Sequence, residues 1–151
     1  MKRAAVTLVI ALLAGCDPAP PAPPPVPGKI PPPAHIRVQH VLVAFRGSRD
    51  AGARVTRTRE EAEVLAQEIL ERARKGEDFK KLMREYSDDI GKGEIGLVSP
   101  GTRPRGPEKR REGFVAGFPR VAFTLAVGEV GLLPYDPSES PFGFHVIKRV
   151  E

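Results

Sequence analysis

A proline-rich stretch near the N-terminus limits how much of this chain can form a folded domain. Ten of the 17 prolines lie between Pro18 and Pro33. Proline has no amide hydrogen for a helix or a β-ladder, and dense runs favour polyproline II, which advances about 3.1 Å per residue. The stretch therefore predicts an extended spacer, and it leaves residues 34–151 as the part of the chain that can bury a core.

The residues before the spacer have the pattern of an export signal. Lys2 and Arg3 give a positive start, and Ala4–Leu13 is a short apolar run. A transmembrane helix needs about 20 apolar residues to cross a hydrocarbon core of roughly 30 Å, so this run is too short to span. A charged start followed by a short apolar core and small residues is typical of a secretory signal peptide.

The end of this segment, Leu13-Ala14-Gly15-Cys16, resembles a bacterial lipobox, whose cysteine is lipidated and becomes the mature N-terminus. We therefore predict a lipoprotein signal peptide at residues 1–15, a lipidated Cys16 with a Pro-rich tether at 16–33, and a folded domain at 34–151. Acyl chains on Cys16 would anchor the domain to an inner or outer membrane. A plain signal peptide with an incidental cysteine is the alternative.

Composition argues against several classes of site. Cys16 is the only cysteine, so an intrachain disulfide is impossible, and no Cys/His cluster has the spacing of a zinc site. The formal net charge of +5 includes Lys2 and Arg3 of the signal, so the mature chain is only mildly basic. No nucleic-acid-binding motif is present. We expect no metal site and no nucleic-acid partner.

The pattern of the folded part predicts an α+β domain. Residues 36–43 are rich in β-branched side chains, and His40 shares one strand face with Ile36, Val38 and Leu42. Two amphipathic helices follow, the first opened by a capping box at Thr58. A short helix with an aromatic face comes next, and two strands close the chain. This order, β-α-α-α-β-β, predicts a small antiparallel sheet covered by helices.

A glycine-rich acidic loop, Tyr86–Leu97, joins the second helix to the next part of the chain. Ser87-Asp88-Asp89 ends the helix, and three glycines follow within eight residues, which permits positive φ and close backbone approach. Two adjacent carboxylates beside such a loop are a candidate site. The alternative is an acidic turn whose Asp side chains bond local backbone amides.

Two basic segments accompany this loop. Four arginines, Arg46, Arg49, Arg54 and Arg57, lie between the first strand and the first helix. Ser99–Glu112 carries five Lys or Arg residues and only two Glu residues, which predicts a solvated basic loop or a surface that attracts acidic partners or anionic lipid.

Six elements occur in the order and spacing of a known family: His40-Val41-Leu42-Val43, Tyr86-Ser87-Asp88-Asp89, Gly93-Glu94-Ile95-Gly96, Phe118 with Ala122-Phe123, Gly128-Glu129-Val130, and Phe142-Gly143-Phe144-His145-Val146-Ile147. Together they resemble the parvulin family of peptidyl-prolyl cis-trans isomerases (PPIases), from about residue 34 to 151. The resemblance implies a four-stranded antiparallel sheet surrounded by helices, with a substrate cleft on one face.

The resemblance also implies site residues. The catalytic positions are His40, Asp89 and His145, with the two histidines holding Asp89 and the sheet geometry through hydrogen bonds. The substrate-binding positions are apolar: Ile95, Phe114, Phe118 and Phe142. The four arginines of the first basic segment lie where phosphate-selective members carry a basic cluster, which suggests a general preference for acidic residues before proline.

The implied reaction needs little machinery. Rotation about an X-Pro bond faces a barrier of about 18–20 kcal/mol because amide resonance is lost, and no covalent bond has to break. We therefore expect no cofactor. The expected function is isomerisation of proline-containing polypeptides during folding of exported proteins, by a lipid-anchored domain in the periplasm of a bacterial cell envelope. The alternative is a catalytically weak peptide-binding chaperone module.

Overall fold

The computed structural model describes residues 32–89, 91 and 93–151. The predicted signal peptide, Cys16 and nearly all of the tether lie outside these residues. The elements in chain order are β1 (His35–Val43), α1 (Arg59–Arg74), α2 (Phe79–Tyr86), β2 (Glu94–Val98), β3 (Lys109–Arg110), a 3-10 turn (Arg111–Gly113), α3 (Gly117–Thr124), β4 (Val130–Leu133) and β5 (Phe144–Arg149). Within the described part of the chain, no helix has the length and apolar character needed to cross a bilayer.

The sheet has the strand order β3-β2-β1-β5-β4, with β1 at its centre. Four of these strands pair antiparallel, which confirms the predicted α+β sheet. The fifth, β3, is a correction: it lies in the basic segment that was predicted as a loop, and it pairs parallel with β2 at Leu97 and Val98. Periodicity also missed β2, because a five-residue strand containing Gly96 gives no clear alternation.

The helix ends follow from local sequence. The side chain of Thr58 accepts from the Glu61 amide, and the Glu61 carboxylate accepts from the Thr58 amide, so the predicted capping box opens α1. Gly76, at φ +93°, lies just beyond the last turn of α1. Asp78 caps α2 by accepting from the Lys80 amide at 2.9 Å. These caps fix both ends of α1 and the start of α2.

The alternation of the strands divides the core into two apolar clusters. The helix-side cluster joins α1 and α2 to the sheet and contains Val41, Val43, Phe45, Ala62, Ala66, Ile69, Leu70, Ala73, Phe79, Leu82, Val130, Phe144 and Val146. The α3-side cluster contains Ile36, Val38, Leu97, Phe118, Ala122, Leu125, Leu133 and Ile147. His40 and His145 lie on strand positions of the α3 side, where the cluster is interrupted.

Candidate active site

Two histidines lie side by side on the two central strands. In the antiparallel register His40 pairs with Ile147 and Leu42 pairs with His145, so the histidines are diagonal neighbours on one face. Their ring centroids are 5.6 Å apart, and both residues are buried. Phe118 of α3 packs edge-on against both rings, at 5.2 and 5.5 Å. The sheet and α3 thus hold the pair rigidly.

The surroundings of the histidine pair disfavour a positive charge on His145. Burial, followed by the neighbouring His40, lowers the pKa of His145 to about 3, so this ring is neutral at pH 7. The ring nitrogens of both histidines are buried without a well-aligned hydrogen-bond partner among the described residues. Two buried histidines side by side, at an interruption of an apolar cluster, are typical of a functional site rather than of a core.

Asp89 lies beside the pair and faces the solvent opening. Its Oδ2 is 3.1 Å from Nε2 of His40, although the approach is too oblique for a well-formed hydrogen bond. Its Oδ1 accepts from the Gly91 amide at 3.0 Å. The contact with His40 lowers the pKa of Asp89 to about 2; burial opposes this shift and the Gly91 amide supports it. Asp89 is therefore a fixed anion at neutral pH, not a group that exchanges protons.

The neighbouring Asp88 has a different partner set. Its Oδ2 accepts from the Ala44 amide at 2.9 Å and from the guanidinium of Arg57. Arg57 also donates to the Ala44 carbonyl at 2.8 Å, so the three groups form a closed network at the end of β1. Both carboxylates border the cleft described below, but their partners differ. Asp88 is engaged by the Ala44 amide and Arg57 and fastens the loop to β1, whereas Asp89 contacts His40.

A glycine allows the loop to lie this close to the sheet. Gly93 has φ +63°, and its carbonyl accepts from the His40 amide at 2.8 Å. A Cβ at this position would lie 2.5 Å from Cε of Met83 and 3.0 Å from the His40 carbonyl oxygen. Any larger residue would push the loop, and with it Asp89, away from β1.

A cleft of about 530 Å³ opens over these groups, and all seven residues singled out from the sequence border it: His40, Asp89, Ile95, Phe114, Phe118, Phe142 and His145. Phe114 stacks on Phe118 with ring centroids 5.5 Å apart, which makes one wall apolar. Asp89 adds a negative charge to the same cleft. A concave apolar site with a few convergent polar groups is the usual form of a binding pocket.

Sequence reasoning missed several residues that border the cleft. Leu42 could have been found, because it shares a strand face with His40. Lys109 could not, because its position depends on the pairing of β3 with β2. Of the four arginines in the first basic segment, Arg49 borders the cleft and lies 5.7 Å over the Phe142 ring, whereas Arg57 is held by Asp88.

A family model described as a PPIC-type PPIase domain matches residues 28–151. The chain belongs to the PPIC-type PPIase family. The match spans the sheet, the helices and the cleft, and it confirms the resemblance drawn from the sequence motifs.

Individual relatives agree with the family match. The PPIC-type domain is 34% identical over 116 residues to the chaperone SurA of Chromohalobacter salexigens, covering 74% of this chain and 21% of that protein. It is 37% identical over 90 residues to the foldase protein PrsA of Geobacillus kaustophilus, covering 57% and 27%. For PrsA of Bacillus subtilis the values are 31% over 120 residues, 77% and 30%. The chain thus spans less than a third of the length of these relatives.

A solved structure shares the fold. The peptidyl-prolyl isomerase ESS1 from Candida albicans superposes with a TM-score of 0.58 at 25% sequence identity, covering 78% of this chain and 63% of that chain. The PPIC-type domain therefore has a parvulin-like fold.

Proposed function

We propose that this PPIC-type domain catalyses cis-trans isomerisation of X-Pro bonds in polypeptide clients. The observation that carries the proposal is that one cleft combines an apolar wall with a fixed anion. The stacked pair of Phe114 and Phe118, with Ile95, offers a surface for the proline ring. Asp89 borders the same cleft and stays ionised at neutral pH. His40, Asp89 and His145 are the proposed catalytic residues.

The proposed mechanism is electrostatic. In the planar amide, resonance places negative charge on the carbonyl oxygen, and twisting the C–N bond removes part of that charge. An anion close to this oxygen destabilises the planar ground state more than the twisted state, so the barrier falls. Neutral His145 and ionised Asp89 need not exchange a proton with the substrate at pH 7. Phe114, Phe118 and their neighbours hold the proline ring while the preceding carbonyl turns.

The test is isomerisation of a panel of X-Pro peptides by the full chain purified in a mild detergent. We expect turnover, and we expect Asp89→Ala to lower kcat/KM about 10- to 100-fold, the effect of about 1.4–2.7 kcal/mol of lost barrier reduction. Asp136→Ala is the matched control, because Asp136 also accepts backbone amides in an exposed turn but lies outside the cleft. Peptide binding without turnover would instead favour a catalytically weak chaperone module.

The proposed clients are exported polypeptides, and the proposed location is the bacterial cell envelope. The named relatives, a chaperone and two foldases, support polypeptide clients. The signal-like N-terminus and the Leu-Ala-Gly-Cys pattern support export and lipid anchoring at Cys16, with residues 16–33 as tether and the domain in the periplasm. At about 3.1 Å per residue, the sixteen residues of the proline-rich stretch Pro18–Pro33 would reach up to about 50 Å from the lipid.

Anchoring is tested by replacing the cysteine. Cells expressing the full chain are labelled with radioactive palmitate and fractionated. We expect label on the wild-type chain in the membrane fraction, and neither label nor stable membrane association for Cys16→Ser. Label on the Cys16→Ser chain would contradict the anchor at this position.

A further inference from the structure

The cleft over His40 and His145 continues into a second groove, which Asp89 also borders. This groove, here called the α2 arm, has a volume of about 990 Å³ and lies between α2, β2 and the segment that leads into β3. It shares four bordering residues with the cleft: His40, Asp89, Ile95 and Lys109. A polypeptide bound with its proline in the cleft can therefore continue into the α2 arm without leaving the surface.

The segment before β3 forms one side of the α2 arm and is fastened in place. Glu108 accepts from the Arg105 amide at 2.6 Å and lies 2.9 Å from Nδ1 of His35. It packs over Gly96, where a Cβ would lie 2.8 Å from Cγ of Glu108. These contacts, together with the pairing of β3 on β2, hold Lys109 at the junction of the cleft and the arm.

The charges of the α2 arm are unbalanced. Its two acidic groups are engaged within the protein: Asp89 contacts His40, and Glu94 accepts from Gln39 and lies 3.5 Å from Arg37. By contrast, three cations that border the arm make no ion pair with any residue that the structure describes: Lys80, Arg84 and Lys109. All three are exposed. The arm therefore presents net positive charge to an occupant.

The spacing of two of these cations fits an extended chain. Lys80, Met83, Arg84 and Ser87 border the arm together, which is one stripe of α2. Lys80 and Arg84 are separated by about 6 Å along the helix axis. An extended polypeptide advances about 6.6 Å every two residues and returns side chains to the same face at that interval. Acidic residues at alternate positions would thus meet the two cations in turn.

We propose that the α2 arm binds acidic side chains of the client about two to four residues from the isomerised proline, and so determines which X-Pro bonds the domain prefers. The inference rests on the proposed isomerase function and adds a substrate class to it. Continuity with the cleft and charge complementarity identify the occupant as an acidic polypeptide segment.

The test uses peptides that share a fixed Ala-Pro core and carry two glutamates at alternate positions, on one side of the proline or the other. Glutamine replaces both glutamates in the matched peptides. Binding by fluorescence anisotropy and kcat/KM for isomerisation are measured for the full chain in mild detergent at low salt. For one of the two sides we expect a Glu-to-Gln ratio of about five in each quantity, which is the effect of two exposed ion pairs.

Two double variants distinguish an effect of the α2 arm on the Glu-to-Gln ratio from an effect of the overall net charge. Lys80→Gln with Arg84→Gln is expected to bring the ratio close to one. Lys75→Gln with Lys81→Gln makes the same charge change at exposed positions outside the arm and the cleft, and it is expected to keep the ratio. Because each ratio compares two peptides on one variant, a partial loss of folded protein does not change it.

The other possible outcomes bear separately on the inference and on the proposed isomerase function. A wild-type ratio of one on both sides would overturn the inference, even if isomerisation is fast and the proposed function stands. A binding ratio of five without turnover would support the arm and remove the isomerase function. If, in the Cys16→Ser chain, Lys80→Gln with Arg84→Gln abolishes binding to phosphatidylglycerol vesicles but leaves the peptide ratio unchanged, the groove belongs to a lipid surface and the inference is wrong.

Discussion

The two faces of the sheet use the same strands for opposite purposes. Towards α1 and α2, Val41 of β1 and Val146 of β5 belong to a continuous apolar cluster. Towards α3, Val38 and Ile147 belong to a similar apolar cluster. The neighbouring positions on that face are occupied by His40 and His145, and there the surface opens into the cleft. Strand alternation lets one strand stabilise the fold with one face and form the site with the other. The difference teaches that the site is an interruption of the core, held rigid by the closed face behind it.

The largest expected effect comes from a comparison of Phe118, an aromatic residue that borders the cleft, with Leu82, an aliphatic residue of the core. Phe118→Ala should lower the free energy of unfolding by about 3–5 kcal/mol and kcat/KM by roughly 30- to 100-fold, because it removes both core packing and part of the proposed surface for the proline ring. Leu82→Ala, at a fully buried position of the helix-side cluster, should cost about 2–5 kcal/mol of stability. Both are measured by chemical denaturation and by peptide isomerisation.

Leu82→Ala serves as the control, since it is expected to leave kcat/KM of the folded fraction within about twofold of wild type. If Phe118→Ala lost stability but kept its kcat/KM, the α3 side would be merely a second core.

A pH experiment tests whether His145, on the α3 side of the sheet, is buried in the neutral state. Its pKa is lowered to about 3 by burial, whereas the unfolded residue titrates near 6.5. Between these values the unfolded state binds more protons, so the free energy of unfolding must fall as pH decreases from 6.5 towards 3. One such group contributes at most about 1.4 kcal/mol per pH unit. Denaturation of His145→Gln between pH 7 and 4 should therefore show a flatter dependence than the wild type.

Leu82→Ala is the control for this pH effect, because it removes buried apolar packing and no titratable group. It should lower the free energy of unfolding at every pH but keep the wild-type slope. Asp89 acts in a lower window: its pKa is lowered from 3.8 to about 2, so its share of stability is lost only as pH falls from about 4 to 2. Equal slopes for His145→Gln and the wild type would contradict the neutral, buried state of His145.

The smallest expected effect is that of Asp88→Ala, which tests whether Asp88 and Asp89 have different roles. Asp88→Ala should cost about 1–3 kcal/mol of stability, because it leaves Arg57 and the Ala44 amide without their acceptor. It should change kcat/KM less than about threefold, in contrast to Asp89→Ala. A double-mutant cycle with Arg57→Ala measures the coupling. If Asp88→Ala abolished turnover of a folded domain, the division of roles between the two residues would be wrong.

Much of the fold and of the site followed from local sequence. The capping box at Thr58 and the stop at Gly76 set the limits of α1, and alternation placed His40 on the same face as Ile36 and Val38. These features are decided by neighbours within a turn or a strand, where φ/ψ and side-chain direction repeat with a fixed period. The family resemblance then named seven positions, all of which the structure brings to one cleft.

The tertiary structure alone decided which partners hold Asp88 and what lies beyond the cleft. The family resemblance selected Asp89, but the sequence does not show what Asp88 contacts. Only its contact with Arg57, 31 positions away, assigns Asp88 to the scaffold. Likewise, Lys109 lies at the cleft because β3 pairs with β2. A sequence pattern determines where a side chain points relative to its own element. Which distant element it meets depends on register and chain closure, which the pattern does not contain.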